Sequence, residues 1–175
     1  FSLSRGLGDV YKRQLLYDKD GRITLEGFYD DVPELSNEQK EQWKSLNFDA
    51  KEFLTNVGLS NIIGEKDYSP LEKIWSRPTC EVNGIWGGYT EPGFKTVLPS
   101  EASAKVSFRL VGKQDPNKVL KSFRNHVSKN LPSDCKVEFL AKAGSGASSL
   151  EINSPEVKAA EKALYDEWNV SPKMV

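Results

Sequence analysis

The chain has 175 residues, 38% of them hydrophobic, and 24 Lys and Arg stand against 25 Asp and Glu for a formal charge of −1. That length suffices for one domain with a sizeable core, or for one domain plus part of another. The interspersed charges form no basic stripe, which disfavours nucleic acid as a partner, and no apolar run is long enough to span a membrane.

The first fourteen residues, Phe1–Gln14, carry no apolar periodicity. Their Ser4-Arg-Gly-Leu-Gly-Asp-Val-Tyr-Lys-Arg-Gln14 is similar to a translated sequencing adaptor, and the segment is set aside as non-native. Asp18-Lys-Asp-Gly21 is a turn signal, and Arg22–Phe28 reads as a short strand or hairpin arm. Three helix starts follow. Ser36-Asn-Glu-Gln39 is a capping box that opens a helix to about Leu46. Asp49 caps a second helix, stopped by Gly58. Ser69-Pro-Leu-Glu72 opens a short third one, ended before Pro78. These helices are too polar to form a core alone. They are expected to be an insertion packed on a sheet through Trp43, Phe53, Leu54 and Trp75.

Thr79–Trp86 alternates, with Cys80, Val82, Gly84 and Trp86 on one side and Thr79, Glu81, Asn83 and Ile85 on the other. Ser103–Val111 alternates more cleanly. Ala104, Val106, Phe108 and Leu110 make an apolar face, and Ser103, Lys105, Ser107 and Arg109 a polar one. The Gly-rich Gly87–Phe94 joins the two strands. Asp115-Pro-Asn-Lys118 caps a helix to about Asn130, with Val119, Leu120, Phe123 and Val127 at helical spacing. Cys135–Lys142 is expected as a third strand. Gly144–Ser149 reads as a flexible joint, and Ser154-Pro-Glu-Val157 starts a last helix whose Val157, Ala160, Leu164 and Trp168 share a face. Cys80 and Cys135 read as small buried hydrophobes on strands. His126, the one histidine, lies at the edge of a helix stripe and has no second histidine to partner it as a ligand.

The polar faces bring Asn83 and Arg109 forward, with Thr96 just after the connection. Arginine offers a planar fork of donors that suits a carboxylate, and Asn and Thr add neutral hydrogen bonds. The order of these residues is distinctive: Asn83-Gly-Ile, a Gly-rich turn, Lys95-Thr-Val-Leu-Pro99, then Ser107-Phe-Arg-Leu-Val111. This resembles the lid (dimerisation) domain of the zinc aminoacylase/carboxypeptidase superfamily, and its carnosinase-like cytosolic dipeptidase branch in particular. Asp20-Gly-Arg-Ile-Thr-Leu-Glu-Gly-Phe-Tyr-Asp-Asp-Val32 is similar to the same branch.

The resemblance implies an α+β fold: a ferredoxin-like lid with an antiparallel sheet, whose first strand and helix are missing here. It divides the chain into a helical insertion and hairpin over 15–77, a sheet-and-helix lid core over 78–143, a hinge over 144–149, and over 150–175 the start of the C-terminal part of a catalytic domain. In the family two zinc ions and a Glu base act on a bridging water in that catalytic domain, and one histidine leaves none of this metal set to the present chain. The resemblance makes Arg109 the holder of the substrate carboxylate and brings Thr96 to the partner subunit's active site. Asn83 takes a position near the substrate. Where relatives have Gly-x-Gly-x-Lys-Thr, this chain reads Glu91-Pro-Gly-Phe-Lys-Thr96. The implied protein is a cytoplasmic homodimer acting on a peptide or acyl-amino acid, of which this chain alone is inactive. On the residues alone a second reading stays open, a freestanding ferredoxin-like module that binds a small ligand or a protein without catalysis.

Overall fold

The computed structural model describes residues 15–140, 142 and 144–174, so the adaptor-like Phe1–Gln14 lies outside the described residues. The elements run α1 (Asn37–Lys44), α2 (Ala50–Asn56), α3 (Pro70–Trp75), β1 (Thr79–Gly87), β2 (Ala102–Arg109), α4 (Pro116–Asn130) and α5 (Pro155–Trp168). This is the α+β arrangement that the resemblance implies. Each helix starts where a side chain satisfies backbone N–H groups that the helix itself cannot. Ser36 and Gln39 close one reciprocal capping box, and Ser69 and Glu72 another. Asp49 accepts from Lys51 and Glu52, Asp115 from Asn117, and Ser154 from Val157.

β1 and β2 pair antiparallel, Thr79 opposite Arg109 and Gly87 opposite Ala102. The sheet among the described residues is two-stranded. The expected third strand is therefore corrected: Cys135–Leu140 pairs with no described residue, and among the described residues its one backbone hydrogen bond is the local turn from Cys135 N–H to the Pro132 carbonyl, 3.0 Å. Alternation describes how side chains divide between faces, but a strand also needs a neighbour to take its backbone groups.

The core lies on the apolar side of this ribbon. Leu16, Ile23, Leu25 and Phe28 come from the segment before α1, Cys80 from β1 and Val119 from α4, with Val82, Val106, Phe108, Leu110 and Phe123 packed around them. The first four are presented by a tight hairpin. Tyr17 bridges Ile23, and the Asp18 carboxylate accepts from the backbone N–H of Asp20 and Arg22, both at 2.9 Å. Gly21 sits there at φ +77°, where a Cβ would come within 2.4 Å of the Gly64 carbonyl oxygen.

The insertion helices do not pack on the sheet as expected. Phe53 is exposed and stacks with Phe48, ring centroids 5.4 Å apart, and Trp75 is also exposed. Trp43 is buried, but against Trp75 and the chain's tail, its indole N–H donating to the Met174 carbonyl at 3.0 Å. The insertion meets the hairpin instead where Glu65 accepts from Arg22 at 3.3 Å and the Lys66 N–H donates to the Asp20 carbonyl at 2.9 Å. Arg77 donates through Nε and Nη2 to the two oxygens of Glu65, each at 2.9 Å, and both side chains are nearly inaccessible. Arg22 and Glu34 join this pair, and the Tyr68 ring covers the guanidinium at 4.0 Å. Burial alone would lower the pKa of Arg77; the hydrogen bonds and charge of Glu65 outweigh it and raise the value.

Removing one partner of such a pair strands the other charge, so Arg77→Ala is expected to cost about 3–5 kcal/mol of stability in urea unfolding. Replacing both residues together, Arg77→Met with Glu65→Leu, should recover most of that loss. An alanine variant within about 1 kcal/mol of the parent would place the pair among ordinary surface bridges.

Candidate functional site

The hairpin's polar face is set by its register. Residues directly opposite on paired strands share a face, so Thr79 and Glu81 lie with Arg109 and Ser107, and Cys80 and Val82 lie with Phe108 and Val106 on the core side. The ladder then skips a residue: Val82 faces Val106, but Gly84 faces Lys105, which leaves Asn83 as the extra residue of a β-bulge. Beyond it the sides exchange. Ile85 pairs with Ala104, and Trp86 with Ser103. This corrects the simple alternation, which put Trp86 with Cys80 and Ile85 with Glu81. A period of two holds only while the ladder is unbroken. One consequence is that Trp86 stands on the polar face, with the Lys105 ammonium 5.6 Å from its ring centroid.

Arg109 ends β2 on this face. It is exposed, and among the described residues its guanidinium has no hydrogen-bonded or ionic partner. Its neighbour across the ladder is Thr79, whose hydroxyl is buried with no partner among the described residues. Asn83 is exposed at the bulge. Thr96 is exposed in the connection at the other end of the hairpin, the central residue of a tight turn closed by Val97 N–H on the Lys95 carbonyl at 2.9 Å. Lys95 in turn lies over the Tyr89 ring, and Tyr89 donates to the Pro92 carbonyl. Seven residue steps of β2 separate Arg109 from Ala102, where that connection enters, a run of about 23 Å at ~3.3 Å per residue. The register thus sets Arg109 and the Thr96 connection at opposite ends, with Asn83 between.

The described residues do not fit a metal centre. No group of three or more His, Cys, Asp or Glu side chains converges among them. His126 Nε2 is engaged with the Leu15 carbonyl at 2.9 Å. Cys80 is buried beside Tyr17, whose phenol donates to the Cys80 carbonyl, and burial first, then the charge of Glu81, pushes the thiol up to about 12. A thiol held neutral is a poor ligand and a poor nucleophile.

Sequence reasoning passed over three residues that hold this site in place. Glu65 and Arg77 fix the entry to β1 through Pro78, and Gln114 is buried where β2 turns into α4. Glu65 and Gln114 lie in polar stretches that read as solvated turns. The Arg77-Pro78 step before a strand was the one available hint.

A family model described as a peptidase dimerisation domain matches residues 21–135. Among curated proteins, the chain is 27% identical over 163 residues to a β-Ala-His dipeptidase of Rattus norvegicus, covering 91% of this chain and 33% of that protein. It is 28% identical over 162 residues to a Cys-Gly metallodipeptidase of Candida albicans, covering 90% and 33%. The chain spans about a third of the length of the curated relatives it matches. Among solved structures, an M20 family metallo-carboxypeptidase from Sulfolobus solfataricus aligns with a TM-score of 0.76 at 35% identity, over 95% of this chain and 38% of that one. Human carnosine dipeptidase 1 aligns with a TM-score of 0.71 at 26% identity, over 97% and 37%.

The two thiols should separate cleanly in the folded chain. Cys135 is half-exposed and is expected to react with a disulfide reagent near pH 8 at once, and Cys80 only after denaturation. The folded thiol of Cys80 titrates above its free value of 9.0, so its stabilising contribution is complete below pH 9 and is lost as pH rises from 9 towards 12. Two rapidly labelled thiols in the native chain would show that Cys80 is open to solvent.

Proposed function

The chain belongs to the peptidase dimerisation domain family, and on that premise we propose that it is the lid and dimerisation domain of a metal-dependent dipeptidase, gripping the substrate's carboxylate through Arg109. The observation that carries this is the position of Arg109: exposed and unpaired among the described residues, on the polar side of a strand whose other side is packed into the core. A guanidinium on so rigid a base can meet a planar carboxylate with both arms of its fork. The named activities of its relatives, on β-Ala-His and Cys-Gly, support a dipeptide as the substrate class, with acyl-amino acids the wider possibility.

In this reading residues 15–77 form the lid's hairpin and helical insertion, 78–143 its sheet-and-helix core, and 144–149 a hinge to the start of the catalytic domain at 150–175. Phe1–Gln14 is non-native. Two chains pair through the lid, and the separation of Thr96 from Arg109 along the hairpin suits a homodimer in which Thr96 serves the partner's substrate and Arg109 its own. Asn83, held out of the ladder by the bulge, faces the substrate between them. Two zinc ions would be held by residues outside this chain, which supplies substrate grip and pairing and no metal ligand, and is inactive alone. The protein works in the cytoplasm.

A charge-assisted hydrogen bond to a carboxylate is worth roughly 1.5–3 kcal/mol, so in the full-length protein Arg109→Ala should lower kcat/KM by about ten- to a hundredfold. Arg109→Lys keeps the charge without the fork and should restore only part. Melting temperatures of both should match the parent, since the side chain lies outside the core. Parental efficiency in the alanine variant would return Arg109 to an ordinary solvated residue. Pairing is read separately: sedimentation of this chain should show concentration-dependent dimers, and a monomer throughout would count against the lid as the pairing surface.

A further inference from the structure

β2 does not simply end after Arg109. Leu110 and Val111 continue without a ladder partner among the described residues, and the chain turns at Gly112 into α4. Gln114, 4% exposed, spans this turn. The Val111 N–H donates to its side-chain oxygen at 2.9 Å, and its amide nitrogen donates to the Phe28 carbonyl at 2.7 Å. Phe28 is the most deeply buried large side chain among the described residues, and its ring lies against Phe108, centroids 5.9 Å apart. Phe108 immediately precedes Arg109, and Val111 follows two residues later. One residue of the hairpin therefore grips β2 on both sides of Arg109, by its ring before and through Gln114 after. The turn has little room to shift: Gly112 adopts φ +58°, and a Cβ there would come within 2.4 Å of Pro33 Cδ.

We propose that Gln114 is the positioning residue for Arg109, fixing the last turn of strand so that the guanidinium keeps one place and one orientation. Nothing else in the ladder does this, because Thr79↔Arg109 is the terminal pair, where a ribbon frays first. A bidentate grip on a carboxylate loses much of its strength when its base moves by about 1 Å. The amide is suited to the task in a way no charged or apolar side chain is, since it must accept from one backbone group and donate to another at once. The inference rests on the reading of Arg109 as the carboxylate holder.

The test is kinetic, in the full-length enzyme that carries this chain. Gln114→Leu removes both hydrogen bonds at similar volume, and Gln114→Glu keeps the acceptor for Val111 but loses the donor to Phe28. KM for a dipeptide with a free carboxylate should rise about tenfold in the leucine variant and at least as much in the glutamate variant, whose buried carboxylate oxygen faces the Phe28 carbonyl, with kcat within about twofold. Adding Arg109→Ala should then make neither variant worse than Arg109→Ala alone. A variant that only loses folded protein would lower kcat and leave KM in place, and that result, or effects that multiply with Arg109→Ala, would overturn the inference. Should Gln114→Leu fail to fold, the glutamate variant decides. An Arg109→Ala enzyme with parental kcat/KM would sink the carboxylate reading and this inference together; an impaired Arg109→Ala beside an unaltered Gln114→Leu would sink the inference alone.

Discussion

A two-stranded ribbon cannot stand alone in water, and the burial of Phe28 is the constraint that resolves this here. The ring sits edge-on to Tyr29 and tilted against Phe108, and Phe108 meets Phe123 of α4 edge-to-face in turn. Hairpin, sheet and helix are thereby joined through one chain of aromatic contacts. Full burial of such a ring contributes about 1.5–3 kcal/mol, and each edge-to-face pair about 0.5–1.5 kcal/mol beyond its area. The same residue's carbonyl receives Gln114. Loss of the Phe28 ring would loosen the layer beneath the ribbon and the end of β2 together, so packing and site geometry share a support.

The second support is electrostatic. Glu65 and Arg77 meet with two short hydrogen bonds in a place closed to water, bracketed by Tyr29 and Tyr68. A buried pair of this quality adds little net stability over an apolar filling of the same shape, but it admits few alternative arrangements. What it fixes is direction. Arg77 and Pro78 lead straight into Thr79, so the start of β1, opposite Arg109, is held from one side by this pair and the end of β2 from the other by Gln114. Both ends of the terminal ladder pair are thus restrained by buried polar side chains.

Much of this was legible from local chemistry. Caps are written in residues three apart, and Ser36 with Gln39 and Ser69 with Glu72 close as read because both partners lie on the same turn. The polar side of β2, Arg109 included, followed from strict alternation. What failed was information held by a partner. The bulge at Asn83 depends on how Val82 and Gly84 meet β2, so Trp86 changed sides with nothing in its own surroundings to announce it. Cys135–Leu140 alternates like a strand yet has no described neighbour to pair with. Glu65 gave no signal at all, since a carboxylate in a polar stretch looks the same whether or not an arginine from twelve residues on will cover it.

The arrangement of the candidate site carries one more consequence. A dipeptide is only a few ångströms long, whereas the connection bearing Thr96 joins the ribbon about 23 Å of strand from Arg109. If both residues serve a substrate, as the proposed function has it, the geometry favours two substrates or two chains over one shared pocket. The apolar residues clustered at the Thr96 end, Trp86, Tyr89, Phe94, Val97 and Leu98, are all exposed. Exposed apolar side chains gathered at one end of a hairpin suit a surface that another layer of protein covers. The Arg109 end has the opposite character, a charged group on a clamped backbone. One hairpin therefore carries exposed apolar side chains at its tip and a charged group on a clamped backbone at its root. The bulge at Asn83 lies between them, adding twist to the ribbon and turning Trp86 to the polar side.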